Sequence, residues 1–247
     1  MATRRVVLGS LLTAACGRAE TGPRLGARPG KVAAADSGFA AGTAPLNLRA
    51  DRDCLLHVPA SVAGARTAAP LVVYLHGATG NAQQGIRRFS ALAEEFGFLL
   101  LSPASGDGTW DAVQSGYGAD VRFLDQALAK VFAGQRVDSK QIAVCGFSDG
   151  ASYALGLGLS NGELFRHVMA FSPGFIPDGV ELTGKPDIFI SHGTKDQILD
   201  IDRCSRRLVP QLKRAGYRVR FEEFDGPHTL PPEVARAGLA WALSRTG

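Results

Sequence analysis

The sequence of 247 residues lacks several features that would place it in other classes of protein. It contains only four cysteines, and they lack the paired spacing of zinc sites, so we expect no metal ion. It has no internal repeat, and beyond the amino terminus it has no apolar run long enough to cross a bilayer. The length fits one α/β domain with an ample core.

An excess of positive charge is also absent from most of the chain. The first 30 residues contain five arginines and one glutamate, which accounts for the whole net charge of +4. The remainder is neutral overall and lacks the basic excess that nucleic-acid binding requires. We therefore expect no nucleic acid among the partners.

The amino terminus has the pattern of a bacterial export signal. Arg4 and Arg5 precede an apolar run that ends at Cys16. This order is typical of twin-arginine signals, and residues 12–16 have the form of a lipobox, in which Cys16 would be acylated and attach the protein to a membrane. Thr13 departs from the usual aliphatic residue of that motif. We predict an export signal over residues 1–16 and a periplasmic or cell-surface lipoprotein, with a cytoplasmic protein as the alternative.

The composition changes again before the main domain begins. Residues 17–42 are rich in Gly, Ala, Pro and Arg, which predicts a flexible tether with little capacity to form a core. Residues 43–247 form the predicted catalytic domain. Cys145 fits a small core residue, whereas the sequence leaves open whether Cys54 and Cys204 pair.

Strand-like and helix-like segments alternate through the predicted domain. Strands are predicted over residues 51–58, 70–75, 98–101, 141–145, 167–171, 187–191 and 218–224. Helices are predicted after the caps Asn81 and Asp120, directly after residue 150, and over 201–215 and 232–244. This alternation predicts an α/β fold, with a mostly parallel sheet and helices on both faces.

The most informative segment is the run Gly146-Phe147-Ser148-Asp149-Gly150. It follows an apolar strand and precedes a helix-compatible stretch. In a G-x-S-x-G turn of this kind the serine is held on a strained elbow, and the glycines allow the flanking backbones to approach closely. We predict that Ser148 is a nucleophile; the alternative is a glycine-rich turn with a serine that takes no part in chemistry.

Two later strands end in loops that contain the acid and the base that a nucleophilic serine needs. Asp196 follows the strand predicted at 187–191, and His228 follows the strand predicted at 218–224. Their order after Ser148 is the order found with G-x-S-x-G elbows. We therefore predict Asp196 as the acid and His228 as the base. Other candidates are better explained as helix caps (Asp200 and Asp202) or as structural histidines (His57, His167 and His192).

An oxyanion hole is predicted where the strand over residues 70–75 ends at His76-Gly77-Ala78. With this type of elbow, the hole combines the amide after the nucleophile with an amide from the loop after an earlier strand. The predicted donors are therefore the backbone amides of Asp149 and Ala78.

The substrate side is less clearly marked in the sequence. Only a dozen residues separate Ser172 from Lys185, too few for a helical lid, so we expect an open, shallow cleft. Trp110 is expected either to line the cleft, where it would stack on an aromatic acyl group, or to pack its own loop. The full set of predicted substrate-binding residues is Trp110, His76, Tyr117 and Phe175.

Three segments, GFSDGASYALGLGL, SHGTKDQILD and FDGPHTLPPE, together resemble the α/β-hydrolase superfamily of serine esterases. The chain is most similar to phospholipase/carboxylesterase-type members, and WDAVQSGYGADVRFLDQAL resembles polyhydroxybutyrate-depolymerase-like and feruloyl-esterase-like members. The resemblance runs from about Leu55 to the end. It implies the α/β-hydrolase fold without a substantial lid, and no cofactor. It also implies that Ser148, Asp196 and His228 correspond to the catalytic triad of the family.

The same resemblance implies a function. It points to a serine carboxylic-ester hydrolase that works through an acyl-enzyme on short-chain, hydroxycinnamoyl or polyester-type esters. The alternatives are an acyltransferase of the same fold and a non-catalytic surface binding lipoprotein. Asp149 and Ala151 depart from the residues frequent in relatives, and both departures lie close to the nucleophile. The substrate is therefore left open.

Overall fold

The computed structural model describes residues 22–30 and 38–244. The predicted export signal over residues 1–16, with Cys16, lies outside the described residues. Within them, no helix is both long enough and apolar enough to cross a membrane.

The described residues form eight strands and six helices. The strands are β1 (Gly42–Pro45), β2 (Leu55–Val58), β3 (Ala69–Leu75), β4 (Leu99–Ser102), β5 (Val137–Phe147), β6 (His167–Phe171), β7 (Asp187–Gly193) and β8 (Val219–Phe224). The helices are α1 (Ala82–Phe96), α2 (Asp111–Gln114), α3 (Ala119–Gly134), α4 (Asp149–Ser160), α5 (Ser205–Arg214) and α6 (Pro232–Leu243).

All eight strands belong to one sheet in the order β1-β2-β4-β3-β5-β6-β7-β8. The pairings of β1 with β2 and of β2 with β4 are antiparallel, and all the others are parallel. The predicted mostly parallel sheet is confirmed. Because β3, β5, β7 and β8 run in the same direction, the loops after them meet at one edge of the sheet.

Helices cover both faces of the sheet, and alternate residues of each central strand point into two separate cores. Val73 and Val144 belong to the core beneath α3, α4 and α5. Tyr74 and Cys145 belong to the core beneath α1 and α6. Full burial of each such side chain contributes about 1.5–3 kcal/mol, so these central strands form a rigid base for the loops at their ends.

The helix starts agree with the sequence in one case and differ in another. Asn81 caps α1, because its Oδ1 accepts a hydrogen bond from the Gln83 amide at 3.1 Å. Asp120 does not cap α3, and that prediction is wrong. Its buried carboxylate instead accepts from the amides of Gly106 and Asp111, at 2.7 and 3.0 Å. The Asp111 carboxylate accepts from the Asp120 amide at 2.8 Å, so Asp111 takes the expected place of the cap.

Part of the predicted flexible tether packs against the domain. Leu25 is buried in the core, and its amide donates to Asn161 Oδ1 at 2.9 Å. The amides of Gly26 and Ala27 donate to Asp125 Oδ1 at 2.8 and 2.7 Å. The structure therefore corrects the tether prediction for residues 22–30, where one apolar side chain is buried and three backbone amides bond to side chains of the domain.

Cys54, Cys145 and Cys204 are all free and buried. The structure therefore contains no bridge between Cys54 and Cys204. Cys145 lies in β5 and packs in the core as predicted.

Candidate active site

Ser148 occupies a strained elbow between β5 and α4. Its φ is 57° and its ψ is −121°, a region that residues with a Cβ rarely adopt. The two flanking glycines show why the strain persists. A Cβ on Gly146 would lie 2.2 Å from the Gly150 carbonyl oxygen, and one on Gly150 would lie 2.1 Å from the Leu75 carbonyl oxygen. The crossing of these backbones holds the serine out at the edge of the sheet.

The structure brings the three predicted triad residues together. His228 Nε2 lies 2.9 Å from Ser148 Oγ, and His228 Nδ1 lies 2.6 Å from Asp196 Oδ2. Both distances are those of hydrogen bonds. With Asp196 ionised, Nδ1–H donates to the carboxylate and Nε2 is free to accept from the serine hydroxyl. The arrangement is suited to removing a proton from Ser148.

The surroundings of Asp196 keep its carboxylate charged and fixed. Its Oδ1 accepts from the amides of Ile198 and Leu199, at 2.9 and 2.8 Å. Burial by itself raises the pKa of Asp196, but the hydrogen bonds from Leu199 and His228 outweigh it and leave the pKa below its ordinary value. One oxygen is thus fully engaged by the backbone, and the other faces His228.

His192 is a structural histidine, as predicted from the sequence, and it stabilises the loop that contains Asp196. Its Nδ1 lies 2.7 Å from Ser205 Oγ, and its Nε2 lies 2.7 Å from the Leu199 carbonyl oxygen. Nε2 also lies 3.1 Å from Asp196 Oδ2. Burial lowers the pKa of His192 and so favours the neutral ring. Because both ring nitrogens are engaged by these structural partners, His192 is not a second base.

The loop that contains Ala78 packs directly on the elbow. A Cβ on Gly77 would lie 3.3 Å from the Phe147 carbonyl oxygen and 3.4 Å from Ser148 Cβ. The amides of Ala78 and Asp149 have no hydrogen-bond acceptor within residues 22–30 and 38–244. Both are therefore free to donate to a group bound at Ser148.

Trp110 does not line the cleft, contrary to the first of its two expected roles. It is fully buried, and its Nε1–H donates to the His76 carbonyl oxygen at 2.8 Å. Its ring packs against the rings of His76 and Tyr153, with centroids 4.9 and 5.0 Å away. Trp110 therefore packs its own loop, because that position buries the whole indole and satisfies its one donor.

His76 is likewise a structural residue, so its prediction as a substrate contact is wrong. It is fully buried, with Nδ1 2.7 Å from the Gly77 carbonyl oxygen and Nε2 accepting from the Ser105 amide at 3.0 Å. Burial lowers its pKa, so the ring stays neutral. Both nitrogens are occupied in holding the loop after β3.

Tyr117 and Phe175 line a common cavity of about 650 Å³, whose lining does not include Ser148, Asp196 or His228, so their role in substrate binding stays a prediction. One wall is formed by residues 112–117 and the other by residues 175–181, with Gly22 at the margin. Phe175 is 42% exposed, whereas Tyr117 is buried and only borders the space. The Phe175 amide lies 3.4 Å from Ser152 Oγ, which is one helical turn from Ser148. Residues 172–186 contain no helix, in agreement with the absence of a lid.

One polar contact beside the elbow was not predicted. Thr109 Oγ1 donates to Asp149 Oδ2 at 2.6 Å. A threonine in a glycine-rich loop has no sequence pattern that would mark this role.

Comparison with known proteins agrees with this geometry. The family model described as phospholipase/carboxylesterase matches residues 120–237, a range that contains Ser148, Asp196 and His228. The chain therefore has the α/β-hydrolase fold, and over residues 120–237 it is similar to the phospholipase/carboxylesterase family. No curated protein matches its sequence.

Solved structures of similar fold include several esterases. Esterase PE8 is 24% identical with a TM-score of 0.63, covering 75% of this chain and 95% of its own. The fluorophosphonate-binding serine hydrolase F of Staphylococcus aureus is 14% identical with a TM-score of 0.63, covering 83% and 99%. A ferulic acid esterase of Anaeromyces mucronatus, in complex with ferulic acid, is 17% identical with a TM-score of 0.58, covering 79% and 85%. At these identities the likeness shows the α/β-hydrolase fold.

The described residues of this α/β-hydrolase, 22–30 and 38–244, contain no group of three or more His, Cys, Asp or Glu side chains arranged to hold a metal ion.

Proposed function

We propose that the protein is a serine carboxylic-ester hydrolase in which Ser148 is the nucleophile, His228 the base and Asp196 the orienting acid. The observation that carries this proposal is the continuous chain of hydrogen bonds from Ser148 through His228 to Asp196, at 2.9 and 2.6 Å. That chain begins on a strained elbow, which a spectator serine would not need.

Acylation is the first half of the proposed reaction. Ser148 Oγ attacks the carbonyl carbon of the ester, and its proton passes to His228 Nε2. Asp196 keeps the imidazole in the required tautomer and stabilises the imidazolium that forms. The carbonyl oxygen becomes an oxyanion that accepts from the amides of Ala78 and Asp149. Loss of one such donor costs about 3 kcal/mol in the barrier.

The end of acylation and the whole of deacylation use the same groups. The imidazolium of His228 protonates the departing alcohol as the ester C–O bond breaks, which leaves an acyl group on Ser148. Water then attacks this acyl-enzyme while His228 accepts its proton. Collapse of the second tetrahedral intermediate returns the proton to Ser148 and releases the carboxylic acid.

The proposed substrates are short-chain, hydroxycinnamoyl or polyester-type esters. The cavity bordered by Phe175 and Tyr117 is not lined by Ser148, but the Phe175 amide lies 3.4 Å from Ser152 Oγ, one helical turn from the nucleophile. We propose that an acyl group on Ser148 extends towards this cavity, where the exposed Phe175 ring suits flat acyl groups and polymer ends. Rates on a series of p-nitrophenyl esters, on methyl ferulate and on a polyester film will separate the three classes. An added alcohol that captures more acyl group than water does would instead indicate an acyltransferase.

The decisive test is the substitution Ser148→Ala. We expect it to abolish hydrolysis of p-nitrophenyl acetate and labelling by a fluorophosphonate probe, with an unchanged melting temperature. Ser61→Ala, at an exposed serine in a turn far along the chain, is the matched control and should behave as the natural protein does. Full activity of Ser148→Ala would overturn the assignment. A natural protein that neither hydrolyses esters nor reacts with the probe would favour the binding lipoprotein.

We also propose that the enzyme is exported and attached to a membrane through a lipidated Cys16. The order of arginines, apolar run and cysteine in residues 1–16 supports this. In a bacterial host, Cys16→Ser should move the enzyme from the membrane fraction to the soluble fraction and remove incorporation of labelled fatty acid. An unchanged distribution would contradict it.

A further inference from the structure

The two proposed oxyanion donors lie in separate parts of the chain. Ala78 follows β3, and Asp149 begins α4. Catalysis requires both amides to point at one oxygen, and a displacement of about 1 Å costs up to roughly 100-fold in rate. Some contact must therefore fix the spacing between the loop after β3 and the first turn of α4.

Residues 108 and 109 make such a contact on both sides. The amide of Thr79, the neighbour of Ala78, donates to the Gly108 carbonyl oxygen at 2.6 Å. The hydroxyl of Thr109 donates to Asp149 Oδ2 at 2.6 Å. Two adjacent residues thus bridge the two halves of the oxyanion hole, and we name them the 108–109 bridge.

The 108–109 bridge is itself held by hydrogen bonds to buried groups, so it is able to fix the positions of the residues that it contacts. On one side, the Ser105 amide donates to His76 Nε2 at 3.0 Å, and Gly106 donates to the buried Asp120 carboxylate at 2.7 Å. On the other side, the indole of Trp110 donates to the His76 carbonyl oxygen at 2.8 Å. A loop held at both ends by buried partners gives Thr109 a fixed place.

The Thr109 contact also fixes the direction of the Asp149 carboxylate. Asp149 places a carboxylate on the residue whose amide is to stabilise the oxyanion, and a carboxylate that turned toward the hole would oppose the developing negative charge. The hydrogen bond to a charged acceptor is short and directional, and it holds the carboxylate toward Thr109.

We propose that Thr109 is a positioning residue for the oxyanion hole, which it orders by holding the Asp149 carboxylate and the first turn of α4. This inference rests on the proposed function. It predicts that Thr109 affects the transition state and not the binding of substrate. Thr109→Val removes the hydroxyl at nearly constant shape, whereas Thr109→Ser keeps it.

The test compares these two variants in the hydrolysis of p-nitrophenyl acetate, with active sites counted by fluorophosphonate titration. For Thr109→Val we expect kcat to fall about 10- to 100-fold with little change in KM. Thr109→Ser should restore most of the loss. Affinity for a trifluoromethyl ketone, which forms a tetrahedral oxyanion with Ser148, should fall in Thr109→Val by a factor similar to that for kcat.

Thr43→Val is the matched control, because it removes a comparable hydroxyl contact, between Thr43 on β1 and His57 on β2 at the edge of the sheet. It should leave kcat unchanged. A double-mutant cycle with Asp149→Ala supplies an independent measurement, since the effect of Thr109→Val should nearly vanish when the carboxylate is absent. If Thr109→Val fails to fold, the cycle is run with Thr109→Ala.

Three results would overturn the inference: an unchanged kcat in Thr109→Val, an equal loss in Thr109→Ser, or additive effects in the cycle. Each of these leaves the proposed function standing, provided that Ser148→Ala is inactive. Activity in Ser148→Ala would remove both proposals together.

Discussion

Replacing Asp196 by asparagine should inactivate the enzyme through the tautomer of His228. Asp196 Oδ1 accepts from the amides of Ile198 and Leu199, at 2.9 and 2.8 Å. An asparagine in this pocket must point its carbonyl oxygen at those two amides, because its NH₂ group has no acceptor capacity. The NH₂ group then faces His228 Nδ1, at the position where Asp196 Oδ2 lies 2.6 Å away.

The consequence is a base that cannot accept a proton. Nδ1 must accept from the asparagine, so the proton of the neutral ring moves to Nε2, the atom 2.9 Å from Ser148 Oγ. In Ser-His-Asp enzymes the corresponding change lowers kcat about 10⁴-fold, or roughly 5 kcal/mol in the barrier. The two backbone amides remain satisfied, and His192 Nε2, which lies 3.1 Å from the replaced oxygen, keeps the Leu199 carbonyl oxygen as its acceptor at 2.7 Å. The melting temperature should therefore change little.

The assay is kcat for p-nitrophenyl acetate together with the rate of fluorophosphonate labelling, and both should fall in parallel. Asp202→Asn is the control, since its carboxylate is exposed and pairs with Arg206 on the surface. A loss of kcat below about tenfold in Asp196→Asn would refute the role given to Asp196.

Three further outcomes are expected. Gly150→Ala should destabilise the fold by about 3 kcal/mol in urea titration, because the new Cβ would lie 2.1 Å from a backbone oxygen, whereas Gly30→Ala, with open space around it, should be neutral. Phe175→Ala should raise KM for methyl ferulate more than KM for p-nitrophenyl acetate; equal changes would exclude Phe175 from the acyl site. The free energy of unfolding should fall as the pH drops below about 6.5, because burial lowers the folded-state pKa of His76, His167 and His192. Below that pH the unfolded chain binds protons that the folded chain does not. A flat profile from pH 7 to 5 would contradict this prediction.

The part of the site that the sequence predicted is the part fixed by the sheet. Ser148, Asp196 and His228 each follow a strand that the sequence predicts from its apolar residues. Because these strands are parallel, their carboxyl ends lie at one edge of the sheet. Pattern and topology together therefore place these residues near one another before any side chain is positioned.

The loop between β4 and α3 could not be predicted in the same way. Its conformation depends on Trp110 donating to His76 and on the reciprocal contacts of Asp111 and Asp120. Such contacts join residues far apart in sequence and leave no periodic signal. The direction of the Trp110 side chain, and hence the difference between a cleft residue and a core residue, was thus undetermined.

Short or irregular elements were missed for a related reason. β1 is a mostly exposed edge strand of four residues, and α2 is a single helical turn, so neither contains enough residues to show a period. The packed stretch at residues 22–30 depends on Leu25 and on acceptors supplied by Asp125 and Asn161. Nothing in its own glycine- and arginine-rich composition distinguishes it from a mobile linker.

The proposed catalytic residues and the cavity proposed to receive the substrate lie in parts of the structure that are built differently. Gly150 packs against the Leu75 carbonyl oxygen, so the backbone of the elbow is held in direct contact with the end of β3 in the centre of the sheet. The cavity, in contrast, is bordered by residues 175–181, a loop with an exposed phenylalanine and no regular structure. With the acyl group in this cavity as proposed, we expect changes in that loop to alter which esters fit without moving Ser148, His228 or Asp196. For this reason the short sequence motif predicts the reaction, whereas we expect the choice of ester to depend on loops for which the sequence contains no comparable signal.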